Sequence, residues 1–393
     1  MNTLPIDLLE TPAAVIDLSR MLRNIARMQQ RADDLGVAFR PHVKTSKCTE
    51  VVARQTAAGA RGITVSTLKE AREFFAAGVS DILYAVGMVA TKLPAALALR
   101  RSGCGLQIIT DSVAAAEAIV AFGKAHAERF EVLIEIDTDS HRSGVKPDEP
   151  VLFDIARTLH DGGMVLAGVL THAGSSYDHD TPDALVAVAE KERAGVVRAA
   201  QRLREAGLPC PVVSLGSTPT ALMTRGLEGV TELRAGVYVF FDLVMTNVGV
   251  CTTDDLALSV LTTVIGHQVD KGLAVLDAGW MAMSRDRGTA KQKIDYGYGQ
   301  VCDVDGTVVP GYILGAANQE HGLLCRAASK EGTAGLEATD PNPVETDIAQ
   351  RFPIGTRLRI LPNHACATGA QFAQYHALAD DGQLSTWSRF SGW

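Results

Sequence analysis

Short apolar runs alternate with amphipathic stretches over the first 240 residues or so. Val37-Ala38-Phe39 opens one such run, which carries on to Lys44. Seven more lie at 62–66, 81–86, 106–110, 131–136, 165–170, 212–215 and 231–238. Most are apolar on both faces, as strands buried on both sides are. Most of the intervening segments place apolar residues at helical spacing. Helices are predicted at 69–77, up to Arg101, at 112–127 and at 183–206. Before the series, 11–17 reads as a strand entered through Pro12. Leu18, Met21, Leu22, Ile25 and Met28 form the buried stripe of the next helix, which Ser19 can cap.

Eight strands alternating with helices predict an α/β fold, a (β/α)8 TIM barrel, with an open doubly wound sheet as the rival. A barrel occupies roughly 250 residues. The texture changes after Val250. Strands are predicted at 256–269, 273–277, 300–309 and 357–361, with turns at Asp305-Gly306 and Asp340-Pro341-Asn342-Pro343 and a polar loop over 327–346. No long helical pattern returns. The expected organisation is a barrel over 18–250 and a mostly β C-terminal domain over 251–393, joined by 1–17.

Composition narrows the function. With 47% hydrophobic and 21% charged residues the chain reads as an ordinary soluble protein. A net charge of −8 argues against nucleic acid as a partner. Residues 1–10 lack the basic region of a secretory signal, and no apolar run is long enough to span a bilayer. Seven scattered cysteines without a CxxC pair suit reduced thiols and a cytoplasmic location.

In a barrel, chemistry sits where strands end. The first strand ends in His42 and Lys44, and a lysine there suits a desolvated, nucleophilic amine. An ordinary basic loop is the alternative. Ser66 and Thr67 follow the second strand, 137–144 the fifth, and Thr171-His172-Ala173-Gly174-Ser175-Ser176-Tyr177 the sixth. Gly216-Ser217-Thr218 and Gly236-Val237-Tyr238 follow the last two, where barrels commonly seat a phosphate on main-chain N–H groups. A lysine opposite a phosphate seat suits pyridoxal 5′-phosphate. In the β region, His364 and Cys366 stand two apart, on one face of an extended chain, and suit a divalent metal. Two protein ligands leave room for water or substrate, as in a catalytic site. A buried histidine beside a buried cysteine is the alternative. Gln319-Glu320-His321-Gly322 is either a support for that site or a turn.

Arg40-Pro41-His42-Val43-Lys44-Thr45, Asp277-Ala278-Gly279, Gln319-Glu320-His321-Gly322 and Pro362-Asn363-His364-Ala365-Cys366 resemble the D-threonine aldolase and D-serine dehydratase family. That family belongs to the alanine-racemase-like pyridoxal phosphate enzymes. The resemblance covers nearly the whole chain, including Thr11-Pro12, Thr171-His172-Ala173-Gly174 and Gly216-Ser217-Thr218. It implies that Lys44 holds the cofactor through a Schiff base and that Arg142 lies near its ring. Tyr177, Gly216, Ser217, Thr218, Gly236 and Tyr238 would line the cofactor and its phosphate. His364 and Cys366 would hold zinc, magnesium or manganese. His42 would support Lys44, and Lys47 would be an ordinary loop charge. The similar aldolases carry His-x-Asp at the metal pair and the dehydratases His-x-Cys, the form found here. The resemblance thus implies a homodimeric lyase eliminating water from a 3-hydroxy-D-amino acid to give a 2-oxo acid and ammonia. The alternative is an aldolase in which His172 takes the β-hydroxyl proton. For a substrate with a second carboxylate, Arg142, Arg285, Arg287 and Lys291 are the candidate cations.

Overall fold

The computed structural model describes residues 6–327 and 347–392. Of the predicted loop at 327–346 only Ala327 is described, and the turn at 340–343 lies outside the described residues. The chain divides into two compact units. Ile25–Tyr238 forms the body of one, and Met1–Asn24 with Val239–Ser391 the other.

In chain order the first strands are β1 (Ala13–Asp17), β2 (Ala38–Pro41), β3 (Ile63–Val65), β4 (Asp81–Gly87), β5 (Gly105–Thr110), β6 (Glu131–Ile136), β7 (Val165–Thr171), β8 (Val212–Leu215) and β9 (Glu232–Ala235). Strands β2 to β9 lie parallel in sequence order, and β9 pairs with β2 from Ala38↔Glu232 to Pro41↔Ala235. A bridge between His42 and Thr64 joins β2 to β3, with the Val43 N–H donating to the Thr64 carbonyl at 2.9 Å. The ring is therefore closed as a (β/α)8 barrel, and the open sheet is excluded. The helices Leu68–Ala76, Val113–His126 and Pro182–Glu205 each begin and end within one residue of the predicted ones.

The first helix, Leu18–Asp34, buries Met21, Ile25 and Met28, but Leu22 is 42% exposed. Its first turn is closed by Asp17, whose Oδ1 accepts the Arg20 N–H at 2.9 Å. Ser19 was the expected cap. Instead its hydroxyl donates to Asp380 at 2.6 Å.

The barrel strands carry two kinds of packing. Leu83, Ile109, Leu133, Ala167 and Leu170 form an apolar cluster drawn from β4 to β7. Strands β2 and β9 contribute charge instead, and β8 a hydroxyl. Arg40 Nε lies 2.7 Å from Glu232 Oε2, and Arg40 Nη1 lies 2.8 Å from Asp81 Oδ1. The Ser214 hydroxyl donates to Glu232 Oε1 at 2.7 Å. Arg234 donates to the Ser214 hydroxyl at 2.8 Å and to the Thr171 carbonyl at 2.6 Å. Buried charges persist only when paired in this way.

The second unit adds β10 (Leu258–Gln268), β11 (Leu273–Leu276), β12 (Gly299–Cys302), β13 (Val308–Ala317), β14 (Gly322–Arg326), β15 (Arg357–Pro362), β16 (Gln374–Leu378) and β17 (Leu384–Ser388). Strands β10, β11, β14, β13, β12 and β15 close a ring, because β10 pairs with both β11 and β15. Val260, Leu276, Val301, Leu314, Leu324, Leu358 and Ile360 fill its core. Leu358 and Ile360 alternate with Arg359, which points the other way onto the Ser259 hydroxyl at 2.9 Å. One edge of β10 serves β1 at residues 258–261 and then β11 at residues 264–268. Strand β1 in turn pairs with β16, and β16 with β17.

The predicted strand at 300–309 is two strands, β12 and β13, hinged at Asp305-Gly306. Strands β14, β16 and β17 were not predicted. Each is only five residues long, too short for its pattern to stand out, although β16 alternates with Tyr375 and Ala377 buried between Gln374 and His376.

Candidate functional site

In the barrel unit, β2 ends at Pro41 and the chain turns tightly over 43–46. Val43, Thr45 and Ser46 go inward, with exposures of 1% or less, and Lys44 is left exposed. The expected desolvation of Lys44 is therefore absent. The buried lysine of the stretch is Lys47, whose Nζ lies 3.0 Å from Glu70 Oε1. That corrects its reading as a loop charge. The turn sets the outcome, since Lys47 takes a left-handed φ of 45° that swings it beneath the loop.

His42 lies beside Lys44, as expected. Its Nδ1 faces the Lys44 N–H at 3.4 Å, and its Nε2 lies 3.4 Å from the Ser66 hydroxyl. His172, just past β7, donates its Nδ1–H to the Gly216 carbonyl at 3.0 Å. A carbonyl only accepts, so this bond fixes the tautomer and leaves Nε2 as an acceptor. Burial, together with the charges of Lys44 and Arg234, holds His42 well below the ordinary imidazole range. Burial also lowers His172 to about 4. The Gly216 bond resists this, and the charges of Lys44, Arg142 and Arg234 add to it. The structure thus brings the charges of Lys44 and Arg234 to both imidazoles and that of Arg142 to His172, with the carboxyls of Glu135, Glu192 and Glu232 acting on Arg234.

The residues expected to seat a phosphate lie close by. Gly216 has φ +134°, and a Cβ there would fall 2.1 Å from the Arg234 carbonyl oxygen, so no side chain fits. Ser217 caps the short helix Thr218–Met223, and its hydroxyl lies 2.8 Å from that of Ser176. The Thr218 hydroxyl accepts the Tyr238 N–H at 3.2 Å. Gly236 packs on His42, whose carbonyl oxygen would sit 3.1 Å from a Cβ. The Tyr177 ring is 6.3 Å from that of His172. The Tyr238 side chain is not brought there. It is fully buried, accepts a hydrogen bond from Gln55 at 2.8 Å, and sets its ring 5.3 Å from that of Phe39. Thr67 is likewise engaged elsewhere, capping the helix Leu68–Ala76. Arg234 was missed from the sequence.

In the second unit, Cys366 does not lie on extended chain. Strand β15 ends at Pro362, His364 is the N-cap of the helix Ala365–Gly369, and Cys366 lies in its first turn. The two side chains still meet, in a hydrogen bond. The turn is held from beneath. Asp242, 1% exposed, accepts the Ala365 N–H at 2.9 Å and the Met245 N–H at 3.0 Å. Asn363 donates to the Gly297 carbonyl at 2.7 Å and accepts from Thr289 at 3.0 Å. His364 itself is 42% exposed, and its Nδ1 lies 2.6 Å from Asp286 Oδ2. Asp286 too was missed. Gln319-Glu320-His321-Gly322 forms a turn, closed by the Asn318 N–H on the His321 carbonyl at 2.8 Å.

Burial disfavours a charged His364. The hydrogen bonds to Asp286 and Cys366 and the charges of Cys366 and Asp242 outweigh it, raising His364 to about 11. A donor set that holds a proton so firmly suits a cation. Among the described residues no group of three or more His, Cys, Asp or Glu is placed to hold a metal. A metal here would use His364 and Cys366, with the remaining positions left to water or substrate. Of the candidate cations, Arg285 lies over Trp280 at 4.8 Å and Arg287 pairs with Asp295 at 3.0 Å.

Residues 16–244 match the family model described as alanine racemase, N-terminal domain, and residues 257–378 that of a putative serine dehydratase domain. The chain belongs to the alanine-racemase-like, fold type III pyridoxal phosphate enzymes. It is 69% identical, over 98% of either chain, to the D-threo-3-hydroxyaspartate dehydratase of Delftia sp. (strain HT23). Two solved structures of variants of a D-threo-3-hydroxyaspartate dehydratase are each 67% identical to it, with TM-scores of 0.94. Both align over the whole of this chain, and over 97% and 100% of their own. One replaces a histidine by alanine. The other replaces a cysteine two positions further on, in the metal-free form. His364 and Cys366 have the same spacing.

Proposed function

We propose that this protein is a pyridoxal phosphate- and divalent-metal-dependent dehydratase of 3-hydroxy-D-amino acids, with D-threo-3-hydroxyaspartate as the preferred substrate. The products are oxaloacetate and ammonia. The reading is carried by the His364–Cys366 pair, backed by Asp286, on a chain 69% identical from end to end to such a dehydratase.

Bound pyridoxal phosphate supplies an electron sink for charge at Cα, and a bound divalent ion a Lewis acid for the departing hydroxyl. Lys44 is the amine that attaches the cofactor and moves the Cα proton, from an exposed position reachable by substrate. Gly216, Ser217, Thr218 and Gly236 seat the phosphate, and the main chain of Tyr238 backs them through Thr218. Arg142 and Tyr177 flank the ring. His172, with its tautomer set by Gly216, keeps Nε2 as a hydrogen-bond acceptor for the substrate; taking the β-hydroxyl proton there belongs to the aldolase alternative, not to loss of the hydroxyl. Asp286 orients His364 through Nδ1, which would leave Nε2 to a bound metal.

The same reading carries a homodimer, a cytoplasmic location and no nucleic-acid partner. Seven free cysteines support the location and a net charge of −8 the absence of nucleic acid, while the dimer rests on the family resemblance alone. Among the described residues no helix is long and apolar enough to cross a membrane. Sedimentation velocity checks the dimer. The activity is tested by assaying ammonia and 2-oxo acid release from D-serine, D-threonine and the four 3-hydroxyaspartate stereoisomers. The D-threo isomer is expected to be fastest. Glycine and an aldehyde in place of ammonia would overturn the reading in favour of an aldolase.

A further inference from the structure

Glu192 has no part in the chemistry above, yet it touches both loops that carry it. It lies midway along the helix Pro182–Glu205 and is 1% exposed. A single oxygen, Oε1, accepts the Ala173 N–H at 2.8 Å and the Gly216 N–H at 3.2 Å. Those two N–H groups open the loops after β7 and β8. The loops are joined a second time by the bond from the His172 imidazole to the Gly216 carbonyl. A closed circuit results. It runs from the carboxylate to the Ala173 N–H, through His172 and its ring to Gly216, and back to the carboxylate. Burial pushes the Glu192 carboxyl up to about 7, against hydrogen bonds from Thr220, Ala173 and Gly216 and the charge of Arg234. A buried carboxylate is a poor filler of space, since an apolar side chain of similar volume is commonly as stable or more so. The hydrogen bonds account for its presence.

We infer that Glu192 is a positioning residue, which holds the Ala173–Tyr177 and Gly216–Thr218 loops at the spacing that pyridoxal phosphate requires and keeps the His172 ring in one tautomer. The inference rests on the cofactor assignment of the preceding section. It turns on the acceptor at the end of a side chain of glutamate length, and not on the charge. Gln keeps that acceptor at the same reach, Asp withdraws it by one methylene, and Leu removes it. Two main-chain N–H groups then lose their partner, at roughly 1 kcal/mol each, or about tenfold or more in binding if the loops must be reordered by the cofactor.

The test is titration of pyridoxal phosphate into the apo forms of wild type, E192Q, E192D and E192L, followed by visible absorbance. It is paired with 15N NMR of the His172 ring in the same apo forms. Expected are near-wild-type affinity for E192Q and affinities about tenfold or more weaker for E192D and E192L. The His172 ring is expected as the Nδ1–H tautomer in wild type and E192Q, and as a mixture in E192D. A filler role would change thermal stability without moving the tautomer. Wild-type affinity and tautomer in E192D overturn the inference, as does an E192Q protein as weak as E192D. If E192L does not fold, E192D and E192Q decide the matter between them. A wild-type protein that takes up no pyridoxal phosphate overturns the cofactor assignment as well, so the two failures are told apart.

Discussion

Asp286 Oδ2 lies 2.6 Å from His364 Nδ1, across 78 residues of chain. The carboxylate fixes the ring's rotation and tautomer, so that Nε2 is the nitrogen that would meet a metal. Losing such a partner typically costs 10- to 100-fold in metal affinity. Asp286→Ala is expected to weaken zinc binding by about that factor, measured by competition with a chromophoric chelator. Affinity equal to wild type would leave Asp286 without this role.

Chelation separates the two cofactors. Dialysis against EDTA is expected to abolish dehydration while the visible absorbance of bound pyridoxal phosphate stays. Zinc, magnesium or manganese added back should restore turnover. Full activity after metal analysis finds none bound would remove the ion from the mechanism.

Lys44 is exposed, so its replacement leaves the packing of β2 unchanged. Lys44→Ala should fold as wild type, lose the absorbance of the attached cofactor, and lose activity by about 100- to 10,000-fold. A surviving visible band would move the attachment to another amine.

The lowered His172 pKa makes the apoprotein acid-sensitive in a defined window. Above pH 6.5 the imidazole is neutral both folded and unfolded and contributes nothing. As pH falls from 6.5 toward about 4, the unfolded chain takes a proton that the folded site refuses. Stability is therefore lost over that interval, by at most about 3 kcal/mol for a shift of this size. His172→Asn should show a correspondingly smaller loss between pH 7 and 4 in urea unfolding. Parallel curves for the two proteins would contradict the assignment.

The charged network in the barrel predicts asymmetry. Glu232 is 8% exposed and joins Arg40 to Ser214. Glu232→Ala leaves Arg40 with the half-exposed Asp81 and the Ile63 carbonyl, and should destabilise by roughly 3–5 kcal/mol in denaturant titration. Asp81→Ala should cost clearly less.

The barrel was legible because most of its strands are apolar on both faces, and length and alternation then leave few topologies. What the sequence hid was pairing at a distance. In Glu232-Leu233-Arg234-Ala235 two charges at alternate positions look like a solvated face. Their partners, Arg40, Ser214 and the Thr171 carbonyl, come from other strands. Glu190-Lys191-Glu192-Arg193 likewise reads as one exposed run, although Glu192 alone turns inward. Asp286 carries no local mark of its histidine. Lys44 and Lys47 lie in one basic stretch, and only the left-handed turn decides which of them goes under. The His364–Cys366 pair was found by its spacing, but the extended geometry assumed for it was wrong. Asp242 accepts the Ala365 N–H and starts a helix there.

Strand β1 has a consequence for how the chain comes to be folded. It is made first, yet it lies between β10 and β16, whose residues follow it by more than 240 and 350 positions. During synthesis these residues must wait, with both strand edges open, while the whole barrel is translated. A chain started at residue 18 would lack a middle strand and not a tail. It would leave the facing edges of β10 and β16 exposed as templates for other chains. Such a truncation should aggregate even with every cofactor ligand in place.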